Sequence, residues 1–540
     1  VPLPSNKHFK KNSLQESTLK NMNDYDQSLI IARKEFLTTG APKMLLAVNA
    51  ALALAYFFVL AFLFPIGNMA LFTLLIIGEV FHVWQVLTFL YTVWETNHVS
   101  VQDASFKPPV DVFITVAGEP VELVEKTVVA ARAMDYPNFE ISILNDGYVA
   151  GKDNWRDIEA LAMRLGVRCI TRTVPGGAKA GNINNAIRLT SNPLIAIFDA
   201  DHVPHSNFLS HTAGYFVDRT VGFVQTPQFY KNFAENYLTK SSWEQQELFF
   251  GPICKGKNRL NAATMCGTNM LISRQALTEV GGMCTESIAE DFVTGLLMHA
   301  KGYRSVYVPE VLAEGLATED LLTYSKQQFR WARGALDVIF RYNPMFMRGL
   351  SMPQRIQYLA SASFYLSGAF VVIDAMLPII YLYTGIVPVQ IDGMLLAAVF
   401  LPYLFFTLYV IQRTSNFTFT FPSLGFSMGS FNIQLSALWK AATFQRSGFS
   451  ITEKSKAKGN FLPLVKWHIL YIGIALIGIP VALVREGFSA SLLNNGAWVL
   501  LTAIVFMPFI RAALPDNTEK PQPLPTGRSV KQPIYGNVRG

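Results

Sequence analysis

Six apolar runs dominate this chain and limit what it can fold into. They cover residues 44–64, 69–91, 358–384, 394–411, 464–484 and 497–514. A helix crosses the hydrocarbon core of a bilayer with about 20 mostly apolar residues, so each run is a candidate span. The first carries no charge and stops at Pro65, the second follows after a very short turn, and the sixth carries Arg511 near its end. No comparable run lies between Gln102 and Gln357, where charged, polar and apolar residues mix as in a water-soluble domain.

Two spans precede that domain, so it shares a side with the N-terminal tail. Lys7, Lys10, Lys11, Lys20, Arg33, Lys34 and Lys43 crowd the tail, whereas the turns at 65–68 and 385–392 have no Lys or Arg. The return loop after Ile411 carries Arg413, Lys440, Arg446, Lys454, Lys456 and Lys458. Cationic loops stay inside, which puts tail, domain and return loop in the cytoplasm and the spans in the plasma (inner) membrane. The net charge of +7 then reflects residues beside anionic headgroups, with no nucleic-acid partner implied. Cys169, Cys254, Cys266 and Cys284 lack the paired spacing of a zinc site and read as reduced thiols. The first run begins too late and is too long for a signal peptide. The Pro- and Gly-rich residues 515–540 are expected to be disordered.

Inside the domain, strand patterns at 110–116, 139–144, 167–171 and 194–198 alternate with helical patterns at 121–134 and 153–165. That alternation predicts parallel β-α-β units in an open α/β sheet, with ligands beyond the carboxyl ends of the strands. The expected boundaries are a tail at 1–43, two spans within 44–91 and the domain at 102–323. Amphipathic interface helices follow at 324–357. Four spans lie within 358–514, with a cytoplasmic interface helix and loop at about 414–462.

Polar motifs fall where such a sheet places its chemistry. Asn145-Asp146-Gly147 and Asp199-Ala-Asp201 each follow a strand. A carboxylate pair on a tight turn suits Mg²⁺, which keeps coordination sites for substrate phosphates, but it also suits a plain turn or helix cap. Gly176-Gly177-Ala-Lys179-Ala-Gly181-Asn182 brings backbone and a cation near phosphate without being a P-loop. Asp291 ends Glu286-Ser-Ile-Ala-Glu290-Asp291 ahead of a helical stretch, where acids also favour the positive dipole end. Gln327, Arg330 and Trp331 share one helix face at i, i+3 and i+4. Arginine matches phosphate and indole stacks on sugar, while an interfacial helix with snorkelling arginines is the bland alternative. Within the second run Glu79, His82 and Gln85 form a polar stripe, and Asp374 lies in the third. Such groups line a wet path or bond between helices.

Taken together, the order and spacing of these motifs resemble the processive family 2 glycosyltransferases, in particular bacterial cellulose synthase catalytic subunits, from about Asp111 to Lys454. Val224-Gln-Thr-Pro-Gln228, Cys266-Gly-Thr-Asn269 and Phe449-Ser-Ile-Thr452-Glu-Lys454 also match, the last resembling the family's gating loop. Two departures stand out. Ala117-Gly118 replaces an aromatic nucleobase contact, and a cyclic-di-GMP-binding barrel is not expected after the last span.

The resemblance implies a GT-A-like domain inserted between transmembrane helices, acting as a UDP-sugar-dependent hexosyltransferase. It would polymerise glucose from UDP-glucose, with inversion, into a β-glucan (β-1,4 favoured) and translocate it. It assigns Asp291 as catalytic base, and Asp146, Lys179, Asp199, Asp201, Gln327, Arg330 and Trp331 to nucleotide and substrate. Asp199 and Asp201 would hold Mg²⁺ or Mn²⁺, and Phe449, Thr452 and Lys454 would form the gate. Implied partners are the UDP-sugar, the growing glucan and the bilayer, with a second copy or an accessory export subunit also possible. Alternatives are a β-1,3, mixed-linkage or N-acetylglucosamine polymer, or single transfer to a lipid acceptor.

Overall fold

The computed structural model describes residues 40–391, 393–445 and 460–514. The chain enters through an antiparallel pair of helices, α1 (Lys43–Phe62) and α2 (Met69–Thr92), joined at the turn where the first run ends. A mixed α/β domain follows, with strands β1 (Val110–Val116), β2 (Phe139–Asn145), β3 (Arg168–Thr171) and β4 (Leu194–Asp199). Helices α3 (Val121–Arg132), α4 (Trp155–Leu165) and α5 (Ala178–Ile187) connect these strands. Short strands β5 (Val203–Pro204), β6 (Val221–Gln225), β7 (Phe229–Tyr230), β8 (Met270–Ser273), β9 (Arg304–Tyr307) and β10 (Ala313–Gly315) complete two sheets.

The larger sheet runs β3-β2-β1-β4-β8-β6-β9. β1 pairs in parallel with β2 and β4, whereas β8 pairs antiparallel with both β4 and β6. All seven residues of β1 are buried, as the continuous apolar run predicts for a strand covered on both faces. Strand alternation sorts them. Val112 and Ile114 pack with Val124 and Val128 of α3 and Ile158 of α4, while Phe113 packs on the other side with Ala180 and Ile183 of α5. Burying each such aliphatic side chain contributes roughly 1.5–3 kcal/mol.

Within the domain, α6 (Glu290–Ala300) lies between β8 and β9; beyond the sheets come α7 (Leu321–Asp337) and then α8 (Met352–Ser363), which leads through a 3₁₀ turn into α9 (Ser367–Thr384). α10 (Gly393–Thr414), the shorter α11 (Phe421–Gly429) and α12 (Phe431–Ala442), then α13 (Lys466–Glu486) and α14 (Ala490–Ala512) end the described chain. Among the described residues six helical stretches are long and apolar enough to cross a membrane, and they overlap the six runs. The third reaches back to Met352, six residues before the expected start of that span.

The polar stripe on α2 bonds between helices. Tyr56 donates to Glu79 at 2.8 Å, His82 Nε2 meets Asp374 Oδ2 at 2.8 Å, and Gln85 donates to Ser363 at 3.0 Å. His82 and Asp374 nonetheless keep 36% and 40% of their side chains exposed.

One polar group in the sheet is there for structure. Asp111, 2% exposed on β1, accepts from Asn192 Nδ2 at 2.9 Å and from Arg274 Nη2 at 2.5 Å, tying β1 to the ends of α5 and β8. Asp111→Ala leaves the Arg274 charge without its partner and should destabilise the domain by about 3 kcal/mol or more. Thermal unfolding of the purified protein checks this. A melting point unchanged from the parent would refute it.

Candidate active site

The carboxyl ends of β1, β2 and β4 carry Thr115, Asp146 and Asp199 to one level, as parallel register requires. In the first motif Asn145 is structural. Its side chain donates to Trp155 O at 2.8 Å and accepts Gly147 N at 3.0 Å, which holds the turn that projects Asp146. Asp146 receives both Nε and Nη2 of Arg172 at 2.6 Å, a buried bidentate pair. Arg172 also donates to Gly176 O and, at 3.1 Å, to Ala178 O. One guanidinium thus joins the first acid to the glycine-rich loop and fixes where α5 begins.

The second residue of α5 is Lys179. Its Nζ donates to Asp199 Oδ1 and, at 2.8 Å, to Gly267 O. Asp199 is held besides by Thr115 Oγ1 at 3.1 Å, and its N–H donates to Thr268 Oγ1 at 2.9 Å. The motif pieces at 224–228 and 266–269 explain how Gly267 and Thr268 come to be there. Gln225 accepts Cys266 N at 2.8 Å and donates to Thr268 O at 2.8 Å, Thr226 Oγ1 donates to Asn269 O at 2.9 Å, and Gln228 donates to Cys266 O at 2.9 Å. These polar residues brace the loop under Lys179.

Gly267 has φ +79°, and a Cβ there would lie 2.7 Å from Asp291 Oδ2. Its lack of a side chain therefore lets the Asp291 carboxylate into the junction. Asp291 sits in the first turn of α6, where Phe292 N donates to its Oδ1 at 2.8 Å, so the capping reading holds alongside any chemical one. Arg330 and Trp331 lie on α7 with Gln327, all three half-buried.

Charge confirms the convergence. Burial opposes the charge on Lys179, yet Asp199, then Glu290 and Asp291, outweigh it and hold its pKa above the usual value. Burial lowers that of Arg330 against the pull of Glu290, Asp199 and Asp291. Burial and the adjacent Asp291 raise Glu290, and burial raises Asp291 despite the Phe292 N–H and Lys179. Burial raises Glu119 too, against the Ala117 N–H, with Asp201 and Asp199 adding to the rise.

That negative field, with Asp201 4% exposed and accepting Leu316 N at 3.4 Å, suits a hard divalent cation. Among the described residues no group of three His, Cys, Asp or Glu side chains could hold a metal. A two-carboxylate anchor completed by substrate phosphates is how Mg²⁺ is commonly bound.

Six of the expected residues thus share one electrostatic neighbourhood: Lys179, Asp199, Asp201, Asp291 and Arg330, with Asp146 linked through Arg172 and the glycine loop. Phe449, Thr452 and Lys454 lie outside the described residues. Arg172 and Glu119 escaped the sequence reading. Arg172 follows β3 directly, at the level where Asp146 follows β2, and that position was the available signal. A cleft of about 720 Å³ opens beside Arg172, Thr173, Gly176, Asn184 and Arg188, along β3 and α5. It borders the glycine loop but excludes Lys179, Asp199, Asp291 and Arg330, so the side chains, not this cleft, mark the chemistry.

Comparison with known proteins agrees. Residues 108–334 match a family model described as glycosyltransferase like family 2, and residues 278–417 one described as cellulose synthase. The UDP-forming cellulose synthase catalytic subunit of Xanthomonas axonopodis pv. citri is 38% identical over 284 residues, 51% of this chain and 38% of that protein. Its counterpart from Komagataeibacter sucrofermentans is 30% identical over 431 residues, 75% of this chain and 56% of that protein. This chain therefore spans less than two thirds of either relative. A mannosyltransferase of Pyrobaculum calidifontis, solved in complex with GDP-Man and Mn²⁺, shares the fold with a TM-score of 0.50 at 17% identity, covering 70% of this chain and 100% of that one. The domain has a GT-A-like glycosyltransferase fold.

A pH dependence follows if Asp291 acts as a proton acceptor: its pKa is raised by burial, so turnover should fail on the acid side above the ordinary aspartate value of about 3.9. Glu290→Gln removes the neighbouring charge, stabilises ionised Asp291 and should move this acidic limb to lower pH. A pH–rate profile checks it, and a limb that stays in place or moves upward contradicts it.

Proposed function

We propose that this chain, whose family 2-like glycosyltransferase domain runs into a cellulose synthase region, is a processive inverting glycosyltransferase of the plasma membrane. It takes glucose from UDP-glucose, extends a cellulose-like β-1,4-glucan at the cytoplasmic face and passes the polymer outward between its helices. The observation that carries this reading is the meeting of Lys179 and Arg330 with Asp199, Glu290 and Asp291 beyond the strand ends. Cations for a diphosphate stand there beside a carboxylate for a hydroxyl.

Asp146, held by Arg172, borders the nucleobase. Lys179, Arg330 and Gln327 supply charge and hydrogen bonds to the diphosphate. Asp199 and Asp201 would hold a divalent cation, which as a Lewis acid offsets charge on the leaving UDP. The terminal sugar of the growing chain stacks on Trp331, and Asp291 takes the proton from its hydroxyl as that oxygen attacks the anomeric carbon. UDP departs from the opposite face, so the configuration inverts in one displacement. The segment with Phe449, Thr452 and Lys454 closes over the bound nucleotide and lets UDP leave while the polymer stays threaded. The polar stripe of α2 and α9 offers hydroxyl-binding groups along the exit.

Asp291→Asn keeps size and hydrogen bonding but removes the proton acceptor. Polymer synthesis in membrane vesicles should fall at least about 10²-fold while UDP binding persists. Undiminished synthesis would take Asp291 out of this role. Asp201→Ala should remove the divalent-metal dependence of UDP binding, and chelation should silence the parent enzyme. Full activity in excess chelator would refute the metal assignment.

A further inference from the structure

Gly334 lies inside α7, one turn beyond Arg330 and Trp331. Glycine in a helix interior costs about 1 kcal/mol relative to alanine, so a helix that carries one there gains something else from it. The neighbour supplies the reason. A Cβ on Gly334 would lie 2.2 Å from Ala289 Cβ, 2.9 Å from Ala289 N and 3.1 Å from Ala289 Cα. Ala289 is the residue that caps α6, immediately before Glu290 and Asp291. Two helices therefore approach almost backbone to backbone at the point where one presents Asp291 and the other presents Arg330 and Trp331.

The packing around this contact leaves little freedom to slide. Ala335 and Val338 of the α7 segment share an apolar cluster with Ala289, Phe292, Val293 and Leu296 of the α6 segment. Arg333, next to Gly334 and 2% exposed, pairs with buried Asp337 one turn on, and its Nη2 donates to Gln445 O at 3.2 Å. These contacts fix the rotation of α7 about its axis. The glycine fixes how close it comes.

We infer that Gly334 is a positioning residue for the transfer step: by admitting Ala289, it sets the distance between the Asp291 carboxylate and the Arg330–Trp331 face of α7. This rests on the roles given above to Asp291, Arg330 and Trp331. A methyl group at 334 forces the two turns apart by the better part of an ångström or more, because the atoms it meets belong to a backbone and a Cβ, not to a side chain that can swing away. A misplacement of about 1 Å at reacting groups costs on the order of 10²-fold in rate.

The experiment compares the full-length parent, Gly334→Ala, Ala289→Gly and the double variant in membrane vesicles. UDP affinity is measured on each, and polymer synthesis is scored per UDP-binding molecule. Gly334→Ala should retain UDP affinity within about threefold and lose about 10²-fold in turnover. Adding Ala289→Gly, which removes the nearest atom, should restore at least about tenfold of that loss. A purely structural role would lower the amount of folded protein and leave turnover per binding site unchanged. If Gly334→Ala does not fold, the double variant carries the test: Ala289→Gly removes the 2.2 Å contact and leaves the 2.9 Å approach to the backbone N, so folding and part of the turnover should return. Parent-like turnover in Gly334→Ala, or a folded double variant no faster than the single one, overturns the inference. Asp291→Asn run alongside separates the two levels. If it too polymerises normally, the underlying reading fails; if it is inactive while Gly334→Ala is normal, only the positioning role fails.

Discussion

A partly buried ion pair between Lys179 and Asp199 stands at the centre of this site, and much of the domain is arranged around it. Removing charges from water is expensive unless partners and hydrogen bonds replace the solvent. Lys179 gains Asp199 and the Gly267 carbonyl, and Asp199 gains Thr115 and Thr268. Arg330 on one side and Glu290 with Asp291 on the other extend the balance. The motifs around 225 and 266 serve this junction from beneath, by holding the loop that offers Gly267 and Thr268.

On the proposed function such a junction would answer a ligand, because two cations and several carboxylates held close, with burial pushing the acids toward their neutral forms, would respond to an added diphosphate or divalent cation. A bound diphosphate would compete with Asp199 for Lys179, and a cation would compete with Lys179 for Asp199. The apolar helices do not stand apart from this chemistry. α8 bonds to α2 where Gln357 meets Thr92 at 2.9 Å, and Lys257 of the domain donates to Ser361 of α8 at 2.6 Å. α8 thereby joins domain and bundle.

The features with a strong periodic signal were legible in the sequence. The buried run at 110–116 became β1 with the expected limits, and the six apolar runs became six long helices. The motif order singled out Asp199, Asp291 and Arg330, which the structure brings into one neighbourhood, because strand ends and helix starts leave polar residues where a core would not. What the sequence hid was pairing and approach. β8 reverses direction within a parallel sheet, and a four-residue strand carries no mark of its partner's direction. Arg172 is one arginine without a motif, and its value lies in touching Asp146 and Gly176 at once. Gly334 follows Arg330 by one helical turn without any signal of its own, and its meaning depends on Ala289, 45 positions earlier.

On the proposed function, this junction builds a polymer from a nucleotide-activated sugar. The most direct measurement supplies labelled UDP-glucose to sealed inside-out vesicles carrying the protein, then determines the length, linkage and location of the product. The account predicts long β-1,4-linked glucan that accumulates inside the vesicles, together with released UDP. Label confined to a single sugar on an organic-soluble lipid, or no transfer from UDP-glucose while another UDP-sugar is used, would contradict it.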